Sequence, residues 1–458
     1  MTTSRLARIS GMVERALGSA GRGEGRFLSR GMGVSLAVYA LFALTFASFR
    51  VANDGLVYYT FLRRFLGEDV APGGHAYQFG VAFFNAPFYL AARAVDAAVG
   101  PATVLGAPLR EAAIGVASNV ALLLTLWLGW RMLRRLDLPA GPAVLLLTVF
   151  GSPLFYYTAF QPSYKHAVDA LALTAAAWLL LLALESPSPR VLVGLGACLA
   201  FLVSLRYANV ALVPGMLLPF ALRREWRAAG RVALALVAAG GVLFALPPAR
   251  DIPFERGTAG PGAPRLLAAG IGIPDPCPDE PKYRIDWSQC LRNKLGVRFD
   301  LPAPARMLVS TRRGLFLWTP LTAFAVVGFL LLARARAERR RFLLGLGVAA
   351  ASLVAIHALW GDFWTNGFSF SQRFLASLFP VYLLGVAELV RRWRSAAAGV
   401  LALCAAFSLY LGFNHFFGYE GISERDGIVE VLSTDGDRGV GETLRLIGQR
   451  AGERWGFR

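Results

Sequence analysis

Apolar runs of about 20 residues alternate along the chain with short segments that are rich in arginine. A helix of that length crosses the hydrocarbon core of a bilayer and satisfies its own backbone hydrogen bonds. The pattern predicts an all-α polytopic membrane protein with about eleven spans. They are expected near residues 32–51, 109–130, 140–158, 166–184, 191–205, 208–222, 231–248, 314–333, 342–360, 374–390 and 395–413. The segments 191–205 and 208–222 are short and almost continuous, so they form either tilted spans or a re-entrant pair.

Composition supports a membrane protein over a soluble one. The 458 residues are 56% hydrophobic and 17% charged, whereas soluble domains have roughly a quarter charged residues. A net charge of +18 would also suit a nucleic-acid-binding protein. However, the arginines cluster at the ends of apolar runs rather than along one polar face, so membrane topology explains them better. No nucleic-acid partner is predicted, and membrane lipids are the expected surroundings.

The basic segments fall into alternate short loops and therefore predict an orientation. One set of loops reads "RMLRR" (131–135), "RREWRAAGR" (223–231), "RARAERRR" (334–341) and "RRWR" (391–394). Because cytoplasmic loops carry an excess of arginine and lysine, this set is expected in the cytoplasm together with the N-terminus. The resulting organisation has a cytoplasmic segment at 1–31, a transmembrane domain at 32–414 and an extracytoplasmic tail at 415–458.

Two long segments, 52–108 and 249–313, face outside under this topology. The first contains "QFGVAFFNAPFYLAARAV", which is interrupted by Asn85 and Pro87 and is interpreted as surface helices rather than a span. The second contains Cys277 and Cys290, which are candidates for a disulfide in an oxidising compartment.

Asp54 lies where the first apolar run ends, at the expected outer mouth of the first span. A carboxylate at that depth is partly desolvated by neighbouring aromatic residues such as Tyr58, which suits a general base. The alternative is structural, with Asn53 or Asp54 capping the surface helix that follows.

The short outside loops each carry an isolated cationic position, although the topology rule disfavours cations there. These positions are Lys165 with His166, then Arg206, and then Arg373. Their side chains either extend to lipid headgroups or converge on an anionic group, where arginine binds phosphate oxygens in bidentate fashion. Asp169, one turn beyond Lys165, is expected to pair with that lysine or to orient His166.

The stretch "LWGDFWTNGFSFSQRF" (359–374) places Trp364 and Asn366 shortly before Arg373. Aromatic residues at an interface usually form part of the aromatic belt. Interleaved with amides, they also suit stacking and hydrogen bonding to a sugar. The predicted substrate-binding residues are therefore Asn53, Tyr58, Asp169, Trp364 and Asn366.

Other chemistries lack their sequence patterns. The histidines His75, His166, His357 and His415 have no metal-ligand spacing, so no metal-ligating residue is predicted. The chain also lacks a phosphate-binding P-loop, a dinucleotide fingerprint and a nucleophile elbow. No repeat of the transporter type is visible.

Four stretches of the chain form a recognisable set: "NDGLVYYTFLRRFLGED", "PSYKHAVDALALTAAAWLLL", "TRRGLFLWTPLTAFAVVGFLLL" and "WTNGFSFSQRFLASLFP". Together they resemble the GT-C superfamily of integral membrane glycosyltransferases, in the group of protein mannosyltransferase-like and aminoarabinose transferase-like enzymes. The resemblance implies an enzyme that takes a sugar from a polyprenyl-phosphate carrier at the outer face of the bacterial inner membrane. Asp54 matches the superfamily's first-loop acid, which acts as general base or positions the acceptor.

The chain departs from the commonest superfamily pattern, because Asn53-Asp54 stands where two adjacent acids are usual. Glu68 and Asp69 are the nearest substitutes for a second carboxylate. Some members of the superfamily use a divalent cation and others do not, so no cofactor is certain and a divalent metal stays open.

The predicted function is transfer of a sugar from a polyprenyl-phosphate-linked donor to an acceptor that the sequence does not define (protein, lipid or glycan). Asp54 is the predicted base, and Lys165, His166, Arg206 and Arg373 are predicted around the donor phosphate. The alternative is a transporter or flippase of a lipid-linked or anionic substrate. The spans are nearly pure Ala, Leu, Val and Gly at their centres, which favours interfacial chemistry over a path across the membrane.

Overall fold

The computed structural model describes residues 24–52, 54–68, 70, 79–245, 303–358, 369–418, 428, 431 and 440–455. These residues form helices joined by short connections, with one small antiparallel hairpin of two strands, β1 (Thr103–Val104) and β2 (Ala107–Pro108). The helices up to the hairpin are α1 (Glu24–Phe46), α2 (Asp54–Phe65) and α3 (Gly80–Val99).

The remaining helices follow in chain order. They are α4 (Leu109–Arg135), α5 (Pro142–Phe150), α6 (Leu154–Ala159), α7 (His166–Glu185), α8 (Pro189–Leu205), α9 (Leu212–Leu222), α10 (Trp226–Ala245), α11 (Ala303–Val309), α12 (Leu315–Trp318), α13 (Leu321–Ala335), α14 (Arg340–Ala358), α15 (Phe379–Phe417) and α16 (Val440–Trp455). Short 3-10 turns at Tyr207–Ala211, Ala337–Arg339 and Arg373–Leu378 precede α9, α14 and α15.

The helices confirm the predicted all-α, multi-pass membrane architecture. In the described part of the chain, six helices are long and apolar enough to cross a membrane. Four further apolar helices of 10–17 residues lie in predicted span intervals, while the interval 140–158 is divided between α5 and α6. The number of eleven spans therefore stays a prediction.

Two breaks in the helices bear on the predicted spans. The interval 140–158 is interrupted between α5 and α6 at Gly151 and Pro153, residues that end and restart a helix. α15 is kinked at Arg394, whose φ of 39° is not helical, and the kink separates the two last candidate spans, Arg373–Arg394 and Ala396–Phe417.

Small residues bring the spans close together. A Cβ atom added to Gly385 of α15 would lie 1.7 Å from the Ala325 carbonyl oxygen of α13, and one added to Gly328 would lie 2.2 Å from the Gly385 carbonyl oxygen. The two helices therefore pack backbone to backbone, as membrane helices with small residues at their interface do. This contact fixes α15, and with it the turn that carries Arg373.

The arginine-rich loops meet at one end of the bundle. Glu185, the last residue of α7, pairs with Arg135 at the end of α4 and with Arg339 just before α14. Arg223, which follows α9, donates to the Leu184 carbonyl oxygen over 2.5 Å. His166 begins the same helix α7 about 30 Å away, so the isolated cations lie at the opposite end.

Two helices, α2 and α3, occupy the first predicted outside segment. Glu68 ties them together, since it accepts hydrogen bonds of 2.7 Å from both Arg63 and Tyr89. These two bonds outweigh the effect of burial and hold the pKa of Glu68 below its usual value.

Candidate active site

Five helix ends meet at the end of the bundle opposite the arginine-rich loops. Asp54 is the first residue of α2, and Lys165 directly precedes α7. Arg206 directly follows α8, and Arg373 opens the 3-10 turn before α15. The structure brings these predicted residues into one cluster, together with His357 near the end of α14.

Asp54 and Arg373 form a direct ion pair. The Arg373 Nη1 atom donates to Asp54 Oδ2 over 2.8 Å, across 319 positions of sequence. The side chains keep 28% and 21% of their surface exposed, so both remain accessible from outside. The Arg373 guanidinium also lies 5.9 Å from the centre of the Tyr164 ring and 5.1 Å from that of Phe374, which partly shields the pair from water.

Arg206, in contrast to Arg373, forms a buried ion pair, and its partner is Asp169. Its Nη2 atom lies 3.1 Å from Asp169 Oδ2, and the two side chains are only 5% and 0% exposed. Its Nη1 atom donates to the Phe374 carbonyl oxygen over 3.0 Å. Asn209 also contributes, since its Nδ2 atom donates to Asp169 Oδ1 over 3.2 Å. Arg206 therefore joins α7 and α8 to the backbone beside Arg373.

The hydrogen bond from Arg206 to His166 defines the imidazole tautomer. Arg206 Nη2 lies 3.1 Å from His166 Nδ1, and a guanidinium nitrogen can only donate. Nδ1 must therefore accept, so the ring is neutral and its hydrogen is on Nε2. His166 packs on Tyr157, with ring centres 4.6 Å apart, and is buried.

Lys165 is a buried cation beside the exposed pair. Its Nζ atom lies 5.5 Å from the centre of the buried Tyr58 ring. Burial is the main cause that lowers the pKa of Lys165 to about 7, and the charge of Arg206 adds to it, while Asp169 and Asp54 act in the opposite direction. Lys165 is therefore the cation in this cluster whose charge changes near neutral pH.

Gly55 controls where Asp54 lies. A Cβ atom added to Gly55 would lie 2.0 Å from Ser163 Oγ, 2.5 Å from Ser163 Cβ and 3.3 Å from the Ser163 carbonyl oxygen. The start of α2 consequently packs directly on the loop that carries Lys165, and only glycine allows this approach.

We expect Gly55→Ala to lower the rate of the reaction proposed below for Asp54 at least tenfold, since α2 must shift and a displacement near 1 Å of a reacting side chain can cost about 10²-fold. Gly55→Ala/Ser163→Gly should recover most of the loss, because only the 3.3 Å contact with the backbone oxygen remains. Initial rates of the two variants, with Ser163→Gly as the matched control, check this. Equal rates for Gly55→Ala and the unmodified protein would contradict it.

Several predicted residues are placed differently or lie outside the described residues. Asp169 forms its direct contacts with Arg206 and Asn209, whereas the prediction paired it with Lys165 or His166. Glu68 belongs to the separate contact between α2 and α3. The predicted residues outside the described part of the chain are Asn53, Asp69, Trp364, Asn366, Cys277 and Cys290.

Sequence reasoning missed three residues that the structure adds to the cluster. Phe374 packs under both arginines and stacks on His357, with ring centres 4.8 Å apart. Asn209 fixes Asp169, as described above. Of these three residues, only Phe374 could have been assigned to the cluster from the sequence, because it directly follows Arg373. His357 and Asn209 lie in apolar segments, where nothing in the sequence indicates a contact with another helix.

The described residues contain no group of three or more His, Cys, Asp or Glu side chains arranged to hold a metal ion. Asp169, the second carboxylate of the cluster, is already paired with Arg206 and Asn209. The described donor set therefore provides one accessible carboxylate, Asp54, and does not by itself fit a metal centre.

Comparison with protein families identifies a class that part of the chain resembles. Residues 102–249, about a third of the chain, match the family described as dolichyl-phosphate-mannose-protein mannosyltransferase. The match includes Lys165, His166, Asp169 and Arg206, and does not extend to Asp54 or Arg373. The predicted resemblance to the GT-C glycosyltransferases is confirmed. No curated protein matches the chain significantly by sequence.

Solved structures with a similar fold include two of the archaeal oligosaccharyltransferase from Archaeoglobus fulgidus. The chain is 11% identical to its apo form (TM-score 0.47) and 12% identical to AglB in complex with an inhibitory peptide and a dolichol-phosphate (TM-score 0.49). The alignments cover 92% of this chain but only 56% and 59% of those chains. ArnT from Cupriavidus metallidurans, bound to undecaprenyl phosphate, is 16% identical with a TM-score of 0.49, over 96% of this chain and 76% of that one.

Proposed function

We propose that this protein transfers a sugar from a polyprenyl-phosphate-linked donor to an acceptor hydroxyl at the outer face of a bacterial inner membrane. The observation that carries the proposal is the contact of Asp54 with Arg373, beside Lys165, at the end of the bundle opposite the arginine-rich loops. Under the predicted topology that end faces the extracytoplasmic side. The resemblance to a family of lipid-phosphate-sugar-dependent transferases supports the same reaction class.

The charge of the cluster supports a monophosphate-linked donor. Lys165, Arg206 and Arg373 supply three positive charges when the lysine is protonated, and Asp54 and Asp169 supply two negative charges, which leaves one positive charge uncompensated. A sugar joined to a lipid through a phosphodiester carries a single negative charge, which balances it. A diphosphate-linked donor would bring a second negative charge, which the charges of these five residues do not balance.

The proposed reaction begins with an exchange of partners. The donor phosphate offers Arg373 a new acceptor in place of Asp54, so the carboxylate is released next to the bound donor. Asp54 then takes the proton of the acceptor hydroxyl while that oxygen attacks the anomeric carbon from the face opposite the phosphate. The new C–O bond forms, the bond from the anomeric carbon to the phosphate oxygen breaks, and the electron pair remains on the departing polyprenyl phosphate.

The cations would act mainly on this departing group. Negative charge grows on the phosphate as the bond breaks, and fixed donors aimed at growing charge usually supply the largest catalytic contribution. Arg373 and Lys165 are placed for this task. Arg206 has its terminal nitrogens engaged with Asp169, His166 and Phe374, so we assign it to positioning rather than to direct phosphate contact.

The proposed function is tested with the purified protein in lipid nanodiscs and a panel of undecaprenyl-phosphate hexoses. Bacterial envelope extract supplies the acceptor, and formation of free undecaprenyl phosphate is the readout. We expect turnover with at least one monophosphate-linked donor and none with its diphosphate-linked counterpart. Consumption of the diphosphate-linked donor alone would contradict the proposal, and so would movement of the donor across a liposome bilayer without consumption, as expected for a flippase.

Donor binding should depend on pH through Lys165. The phosphodiester of the donor does not titrate near neutral pH, so a change in affinity reports on the protein. Because the pKa of Lys165 is about 7, this side chain carries its charge below that pH in the empty site, and binding at higher pH must take up a proton. We expect the affinity for undecaprenyl-phosphate hexose to be constant below about pH 7 and to fall toward tenfold per pH unit above it.

Lys165→Arg is the matched control for this pH dependence, because arginine keeps its charge over the whole range. Its donor affinity should vary little between about pH 6 and about pH 8.5 in the same native mass spectrometry titration. An unchanged slope in Lys165→Arg would show that another group is responsible.

A further inference from the structure

We infer that the arginine-rich end of the bundle contains a binding site for the headgroup of an anionic phospholipid, separate from the proposed active site. A cleft of about 460 Å³ opens there and is lined by Leu222, Ala337, Arg340, Arg341 and Leu344. The inference does not depend on the proposed function, because none of these residues belongs to the cluster around Asp54.

The position of the cleft is fixed by a tight helix contact. Leu222 is the last residue of α9, and Arg340 is the first residue of α14. The two helices pack closely, since a Cβ atom added to Gly215 would lie 2.3 Å from the Ala349 backbone nitrogen. The cleft therefore lies between the ends of two packed helices, and Ala337 of the 3-10 turn before α14 completes its lining.

The two arginines of the cleft differ from Arg339 and Arg223 at the same end of the bundle. Arg339 pairs with Glu185 over 2.5 Å, and Arg223 donates to the Leu184 carbonyl oxygen, so these two side chains hold helices together. The side chains of Arg340 and Arg341 are exposed and have no ion pair or hydrogen bond with any described residue. Their charges are thus available to an anion from outside.

The apolar residues of the cleft favour a phospholipid over a free anion as its ligand. Leu222 and Leu344 leave 48% and 40% of their surface exposed beside the two guanidinium groups. A phosphate headgroup fits the guanidinium groups, and its acyl chains would cover the leucines along the apolar helices. The predicted cytoplasmic location of this end agrees, since anionic lipids in that leaflet attract basic residues next to spans.

The experiment compares Arg340→Gln/Arg341→Gln with a matched control, Arg227→Gln/Arg231→Gln. The control removes two exposed arginines of α10 at the same end, outside the cleft. Detergent-solubilised full-length proteins are titrated with phosphatidylglycerol, with phosphatidylcholine and with inorganic phosphate, and native mass spectrometry counts the bound molecules. Both variants are first compared with the unmodified protein by size-exclusion chromatography and thermal unfolding.

We expect the unmodified protein and the control to bind phosphatidylglycerol at a saturable site, and the cleft variant to bind it about 30-fold more weakly. This corresponds to about 1 kcal/mol for each arginine removed. Arg340→Lys/Arg341→Lys should keep most of the affinity, and this also shows that a loss in the glutamine variant does not come from misfolding. Equal losses in cleft and control variants, equal binding of phosphatidylcholine, or inorganic phosphate binding as tightly as the lipid would each overturn the inference.

Discussion

Replacing Asp54 by asparagine should lower the rate of sugar transfer by about 10²–10⁴-fold, the usual contribution of a general base. Asparagine has nearly the same shape as aspartate but cannot take a proton from the acceptor. The donor should still bind, and at least as tightly as before, because Arg373 would no longer be neutralised by the carboxylate that it contacts over 2.8 Å. Initial rates and donor affinity, measured on the same preparation, separate the two effects.

The same substitution distinguishes the catalytic role of Asp54 from the structural one. Asn and Asp are about equally good at the N-terminal cap of a helix, so a capping role predicts little change in either activity or stability. Asp96→Asn is the matched control, since Asp96 is another carboxylate of the first predicted outside segment and pairs with Arg110 over 2.7 Å. Full activity in Asp54→Asn would return Asp54 to the role of a cap.

Most helix positions can be predicted from the sequence, because a segment inside the bilayer must satisfy its own backbone hydrogen bonds and therefore forms a helix. Apolar runs near 20 residues leave few alternatives to a helix, and each predicted interval contains helical segments in the structure. The breaks within the helices are harder to predict from the sequence, although Gly151 and Pro153 indicate the one between α5 and α6. The kink at Arg394 lies in the basic segment "RRWR" (391–394), which the sequence predicts as the loop between the last two spans, whereas nothing in the sequence indicates its φ of 39°.

The members of the cluster can be selected from the sequence for a physical reason. Cations in the short loops opposite the basic set are disfavoured by topology, so Lys165, Arg206 and Arg373 are conspicuous in the amino-acid sequence itself. Their partners cannot be deduced in this way. Asp169 is one helical turn from Lys165 in sequence, yet its charge partner is Arg206, and both side chains are buried. A buried carboxylate needs a charge partner, but the sequence does not indicate which cation the fold brings next to it.

Replacing Arg373 or Arg206 by glutamine should have opposite effects on donor binding and stability. Arg373→Gln should weaken donor binding and leave the fold intact, whereas Arg206→Gln should mainly destabilise the protein. Arg373→Gln removes one partner of a partly exposed ion pair, and such pairs contribute about 0–1 kcal/mol to stability. The fold should therefore stay intact, while donor affinity falls by roughly 10–150-fold, as expected when a charged hydrogen bond worth about 1.5–3 kcal/mol is lost. Donor binding and thermal unfolding in detergent measure the two quantities.

Arg206→Gln should instead destabilise the protein by about 3–5 kcal/mol, because it leaves the buried carboxylate of Asp169 without its charge partner. Arg206→Gln/Asp169→Asn removes that charge as well and should recover much of the stability. Activity should stay low in the double variant, because the hydrogen bond from Arg206 to the Phe374 carbonyl oxygen, which positions Arg373, is still missing. If Arg206→Gln proved stable but failed to bind donor, Arg206 would contact the phosphate directly, and the separation of a binding arginine from a positioning arginine would be wrong.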